Sequence, residues 1–239
     1  MINRAELGLI DRYQRLTERL RQAEFEHGRT EGSVCLIAVS KTYSANNVRT
    51  VASQGQEDFG ENQIQDALTK IQVLKDLGRT WHFIGPIQSN KCKDIALHFD
   101  WVHSIDRKKI ARRLSDFRPA HAEPINILLQ VNLQNEATKS GVLPDELGAL
   151  IDEVKNLRNL SVRGLMAIPS PETSFDRQRA TFAELRGLLE ATNREFHTSM
   201  DCLSMGMTDD LEAAVAEGAT HIRVGTAIFG PRQRPAVTP

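Results

Sequence analysis

Eight times along this chain a short apolar run gives way to a stretch with helical periodicity, and that alternation limits the fold more than any other feature. The runs lie at residues 34–41, 57–60, 81–84, 101–105, 125–131, 162–166, 202–204 and 222–224. The first, bounded by Gly32 before and polar residues after, reads as a buried strand. Helical stretches follow at 45–53 with Ser44 as N-cap, at 64–74, from the Gly85-Pro86 breaker to 98, and at 107–117. The series continues from Pro144, a good first-turn residue, then at 175–196, and at 209–217 with Thr208 as cap. Strict strand–helix alternation implies a parallel sheet, and a length of 239 residues is close to the roughly 250 of an eight-stranded barrel. A doubly wound sheet would carry Gly-x-Gly-x-x-Gly after its first strand, and none follows here. The fold expected is α/β, a single (β/α)8 TIM barrel domain over 1–239 with an extra N-terminal helix within 1–28 and a flexible tail at 231–239. Leu9, Tyr13, Leu16, Leu20 and Ala23 give that helix one apolar stripe, which either plugs the barrel floor or packs alongside it.

Composition removes several function classes. Lys and Arg total 30 against 31 Asp and Glu, so no basic excess grips a nucleic-acid backbone. No segment approaches 18 consecutive apolar residues and the N-terminus lacks a signal-peptide core, so a soluble, cytoplasmic protein that avoids membranes is expected. The three cysteines, Cys35, Cys92 and Cys202, and the seven histidines show no metal-ligand spacing.

Lys41 ends the first strand run, and parallel-sheet proteins place their chemistry at the carboxyl ends of strands. An amine partly desolvated there can attack an aldehyde and form a Schiff base; the alternative is a surface lysine closing a strand. In a closed barrel the eighth strand lies beside the first. The ends of strands seven and eight carry Ser204-Met-Gly-Met207 and Arg223-Val-Gly-Thr-Ala-Ile-Phe-Gly230. Backbone N–H groups at Gly206 and Gly225, with the hydroxyls of Ser204 and Thr226, suit a phosphate; tight turns alone are the competing reading. Alternation puts Arg223 on one face of its strand with His221 and Gly225, and in the first strand Ile37, Val39 and Lys41 share a face. An inward arginine needs a partner. Pyridoxal 5′-phosphate, with an aldehyde, a phosphate and a ring nitrogen, fits such a set; a salt bridge from Arg223 to a carboxylate such as Glu61 is the alternative.

The segments Ala38-Val-Ser-Lys-Thr42, Phe59-Gly-Glu-Asn62, Trp81-His-Phe-Ile-Gly85, Val131-Asn132 with Lys139-Ser-Gly141, Gly164-Leu-Met-Ala-Ile-Pro169, Leu203-Ser-Met-Gly-Met207 and Arg223 to Gly230 occur in order over nearly the whole chain. With them the chain resembles the pyridoxal phosphate homeostasis proteins (the YggS or PROSC type), relatives of the alanine racemase N-terminal domain. The resemblance implies a Schiff-base lysine at Lys41, a ring-nitrogen partner in Arg223, and phosphate contacts from Ser204, Met205, Gly225 and Thr226. It also implies Asn62 close to the cofactor, with His82 and Met166 lining the pocket or packed within their strands. One departure is local. The family continues Lys-Pro after Ser-Lys-Thr, where this chain has Tyr43-Ser44, which bears on the shape of that loop.

Binding a cofactor does not by itself make an enzyme. A racemase needs a second base, which the related racemases take as a tyrosine from a C-terminal β domain, and this chain ends about ten residues past Phe229-Gly230. Its two tyrosines are Tyr13, on the first helix, and Tyr43; the racemase barrel's own tyrosine position is Ala45 here. An arginine at the ring nitrogen also opposes ring protonation. The expected function is non-enzymatic buffering or delivery of pyridoxal phosphate by a monomer, with apo-forms of pyridoxal-phosphate enzymes as recipients. A small pyridoxal-phosphate-dependent amino-acid racemase is the alternative, and a cofactor-free Schiff-base aldolase of sugar phosphates is a third reading.

Overall fold

The computed structural model describes residues 3–136 and 138–231. The expected tail, apart from Pro231, lies outside them. Eight parallel strands close into a barrel in sequence order: β1 (Cys35–Val39), β2 (Asp58–Glu61), β3 (Thr80–Phe83), β4 (Trp101–Ile105), β5 (Ile125–Gln130), β6 (Leu160–Met166), β7 (Cys202–Ser204) and β8 (His221–Val224). Closure is carried by β1 against β8, with Ile37 opposite Arg223 and Ala38 opposite Val224. The helices are α1 (Arg4–Glu26), α2 (Ala45–Ala52), α3 (Ile64–Val73), α4 (Cys92–His98), α5 (Lys108–Phe117), α6 (Leu147–Val154), α7 (Phe175–Phe196), α8 (Leu211–Ala216) and α9 (Thr226–Phe229).

All five stripe residues of α1 are buried, each leucine gaining roughly 1.5–3 kcal/mol from leaving water. The helix packs alongside the barrel, against α2, α8 and α9, and does not plug its floor. Asn3 caps it through a reciprocal box with Glu6. At its far end the buried Glu24 carboxylate accepts from the N–H groups of Gly32 (3.0 Å) and Val34 (2.8 Å), fixing the entry into β1. Ser44 caps α2 as its sequence position suggests. Thr208 does not cap α8: the helix starts later, at Leu211, because Asp210 turns its carboxylate back to the Met207 N–H (2.6 Å) and holds residues 207–210 as a loop.

Two apolar layers result. The main core lies between sheet and helices and includes Phe59, Val102, Ile127, Leu129, Leu165 and Val224. A separate cluster of Leu128, Met166 and Cys202 against Trp101 lies inside the barrel. The ring contacts prove the placement. Trp101 on β4 and His221 on β8 have centroids 4.9 Å apart although three strands separate them in the sheet, so they meet across the lumen. Barrels of this class usually fill that space with branched aliphatics. Here three histidines, His82, His103 and His221, share it with Arg223 and Ser204.

Candidate functional site at the barrel mouth

The carboxyl ends of β1, β2, β6, β7 and β8 bring together most of the residues singled out by sequence. Lys41 stands two residues past Val39, half-buried, on a turn closed by the Tyr43 N–H donating to Ser40 O (3.1 Å). Thr42 takes φ +71°, the left-handed region, which forces the backbone to reverse directly after the lysine. Tyr43 secures this turn: its hydroxyl donates to Gly230 O and its ring stacks on Phe229 at 4.8 Å. The departure from the family's Lys-Pro therefore ties the Lys41 turn to the segment after β8.

Behind the lysine is a sealed clamp. Lys70 of α3 donates to Ser40 O (2.7 Å) and pairs with Glu61 (2.8 Å), while Ser40 Oγ donates to the same Glu61 oxygen (2.6 Å). Glu61 is thus the partner of Lys70, and the sequence alternative of an Arg223–Glu61 bridge is not what the chain forms. The strand alternation explains it: Glu61 faces the helices, Arg223 the lumen. Burial raises the Glu61 carboxyl above its ordinary pKa, against the pull of Lys70.

Arg223 is buried and donates to Ser204 Oγ (2.5 Å) and to Ala167 O (2.9 Å). Burial lowers its pKa to about 10, so it stays cationic at neutral pH. Among the described residues no carboxylate forms an ion pair with it. Such a guanidinium has a charge to offer to a further acceptor. Asn62, at the end of β2, has its Oδ1 buried without a hydrogen-bond partner. Gly206 takes φ +92° and a Cβ there would stand 2.5 Å from Ala214 Cβ; a Cβ at Gly225 would stand 3.1 Å from Val39 O. Close packing and backbone conformation require Gly206, while Gly225 sits tightly against Val39 O and is also the N-cap of α9 with Thr226 exposed beside it. Met205 is fully buried and its N–H donates to His221 O (3.1 Å).

His82 and Met166 belong to the same lumen, one level beneath. Met166 ends β6 inside the small apolar cluster. His82 is fully buried, with Nε2 2.9 Å from Asp58 and Nδ1 2.9 Å from His103, whose own Nδ1 is 2.8 Å from Ser204 Oγ. Sequence reasoning overlooked Asp58 and His103, and placed His221 on the face of Arg223 without giving it a role. Alternation from Trp101 to His103 and from His221 to Arg223 puts these rings on inward faces, but their meeting depends on distant strands. Burial, the first cause in each case, pulls His103 well below the usual histidine pKa and His221 down to about 4. The remaining motif pieces serve the rim: Gly85 abuts the Asn62 backbone, which a Cβ would approach to 2.5 Å, and Val131 bridges Val142 beside Gly141.

A family model described as the alanine racemase N-terminal domain matches residues 12–233. A pyridoxal phosphate homeostasis protein of Pseudomonas aeruginosa is 52% identical over 224 residues, covering 94% of this chain and 96% of the relative. One of Escherichia coli is 46% identical over 208 residues, covering 86% and 88%. PipY of Synechococcus elongatus, solved with PLP bound, superposes with a TM-score of 0.79 at 38% identity, covering 88% of this chain and 98% of its own. Alanine racemase of Clostridium difficile, at 11% identity and a TM-score of 0.72, shares the fold, and the match covers 61% of its chain. By model, by sequence identity and by the barrel itself, this chain belongs to the pyridoxal phosphate homeostasis proteins, within the alanine racemase N-terminal domain family.

Proposed function

We propose that this chain binds pyridoxal 5′-phosphate at the barrel mouth and serves in its homeostasis, buffering or delivering it without catalysing a reaction on it. When bound, the group supplies an aldehyde for an imine with an amine, a ring nitrogen that accepts a hydrogen bond, and a phosphate. The observation that carries the reading is Arg223, a buried cation at the mouth with no carboxylate partner among the described residues. A neutral pyridine nitrogen is the kind of acceptor that a guanidinium held this way fits. Lys41 supplies the amine, its backbone held by the Lys70–Glu61–Ser40 clamp. Asn62 brings an oxygen with an open hydrogen-bonding capacity. Ser204, Met205, Gly225 and Thr226 form the phosphate end, where first-turn N–H groups have no intrahelical partner. His82 and Met166 support it from below.

Both tyrosines are engaged elsewhere, which favours a carrier over a racemase: the Tyr13 hydroxyl bonds Gln56 (3.2 Å) and the Tyr43 hydroxyl bonds Gly230 O. We place the protein in the cytoplasm as a monomer, with apo-forms of pyridoxal-phosphate enzymes as recipients; among the described residues no helix is long and apolar enough to cross a membrane.

The test is intact-mass analysis after incubation with pyridoxal phosphate and borohydride reduction. One cofactor should be fixed, on the peptide holding Lys41, and Lys41→Ala should fix none at that peptide. Robust racemisation of alanine, serine or glutamate by the purified chain would instead favour the enzyme.

A further inference from the structure

A line of hydrogen bonds crosses the barrel interior from mouth to floor. Arg223 donates to Ser204 Oγ, which lies 2.8 Å from His103 Nδ1; His103 Nε2 lies 2.9 Å from His82 Nδ1, and His82 Nε2 2.9 Å from Asp58 Oδ1. Ser204, His103 and His82 are fully or almost fully buried, whereas the Asp58 side chain is 27% exposed and lines a cleft of about 660 Å³ between α1 and the floor. The line therefore meets water at its lower end.

Its direction follows from its ends. Arginine only donates and a carboxylate only accepts. With both imidazoles neutral, the Ser204 hydroxyl donates to His103 Nδ1, His103 Nε2–H to His82 Nδ1, and His82 Nε2–H to Asp58. Ser204 then has no hydrogen left for the mouth. A second direction exists with one more proton. An imidazolium at His82 donates from both nitrogens, to Asp58 and to His103 Nε2; His103 carries its hydrogen on Nδ1 and donates it to Ser204, whose own hydrogen then turns to the mouth.

We propose that Asp58, His82, His103 and Ser204 form a one-proton relay that sets whether the Ser204 hydroxyl donates to His103 or into the barrel mouth. The proton balance closes. Between the two states His103 exchanges its Nε2 hydrogen for one on Nδ1, Ser204 keeps one hydroxyl hydrogen in a new direction, and one proton from solvent is added, so that His82 carries hydrogens on both nitrogens. The net uptake is one proton, held on His82 against Asp58, and no bond between heavy atoms changes.

The surroundings favour His82 as the resting place. Asp58 stabilises a cation there, whereas His103 is pulled well below the ordinary histidine pKa, first by burial and then by His82 and His221. His221, with its ring 6.2 Å from His82, is held neutral down to about pH 4. Burial pushes the Cys35 thiol up, and that of Cys202 to about 12, so neither competes for the proton. Arg163 and Arg223 oppose extra charge in the lumen, acting on His221 and, for Arg223, on His103. Only the consequence for a phosphate at the mouth rests on the proposed cofactor reading; the relay itself does not.

Two-bond ¹H–¹⁵N correlation spectra of the histidine-labelled, unliganded chain read both rings directly. In the starting direction both should be Nε2–H tautomers, and on acidification His103 should switch to Nδ1–H, still neutral, in step with the arrival of a second proton on His82. Asp58→Asn should lower that shared midpoint by about one to three pH units through loss of the carboxylate. The proposal is overturned by a His82 that takes no second proton before the chain unfolds, a His103 that keeps Nε2–H or becomes cationic, or midpoints that separate in Asp58→Asn. No cofactor is involved, so failure of pyridoxal phosphate binding leaves these readouts intact.

Discussion

Lys70 does more for this site than its position on a helix suggests. With its side chain only 4% exposed, it holds the carbonyl of Ser40, the residue before Lys41, and neutralises the fully buried Glu61. Breaking a buried pair leaves an uncompensated charge, which is costlier than the net worth of the pair. Lys70→Met should lower unfolding free energy by roughly 3–5 kcal/mol in urea titrations, and Glu61 should become protonated. A loss under about 1 kcal/mol would show the pair to be hydrated rather than sealed. Sequence singled out Lys41 through the strand it ends, and Arg223 through its inward alternation. It gave Glu61 the wrong candidate partner, because a lysine nine residues on at helical spacing looks like a solvated charge until α3 is seen against β2.

At the scale of elements, β6 and β7 show how a single missing Cβ governs packing. A Cβ on Gly164 would stand 1.8 Å from Cys202 O on the neighbouring strand, next to the register irregularity between β5 and β6. Backbone cannot yield there as a side chain can. Gly164→Ala should cost at least about 3 kcal/mol. For a chain of this size that is a fall of roughly 6–12 °C in the thermal midpoint. An unchanged midpoint would mean the two strands separate at little cost. Element order was legible because strand and helix periodicities are local, and α7 and β4 occupy the expected residues. The start of α8 was not: the Asp210 carboxylate reaching Met207 N–H outcompetes a hydroxyl cap at Thr208, a choice set by loop geometry.

Across the whole molecule, a polar lumen makes stability depend on pH. His221 is neutral in the folded chain down to about pH 4, whereas an unfolded histidine takes its proton near 6.5. A depressed base favours folding where it is neutral, so this contribution is complete above about pH 6.5 and is lost as pH falls toward 4. His221 alone should remove roughly 3 kcal/mol by the lower end, and His103, shifted the same way, adds to the loss. Asp58, whose carboxyl burial would raise but the hydrogen bond and charge of His82 bring below its ordinary range, favours folding above the unfolded aspartate pKa. Glu61 acts oppositely, since its raised pKa favours folding at low pH. Urea unfolding at about pH 7.5, 5.5 and 4.5 checks the sum, and a flat profile would mean that water reaches the lumen histidines.

The amino-acid sequence alone determined the order and kind of the elements and the parallel barrel they build, because hydrophobic period is written within each segment. It also determined which strand ends carry an amine, an arginine and close-approach glycines. Only the tertiary structure decided what those groups touch. Asp58, His82, His103, Ser204 and Arg223 come from five strands, and their alignment across the lumen depends on the stagger of a closed sheet. That stagger is a property of all eight strands together, and no local pattern of residues records it.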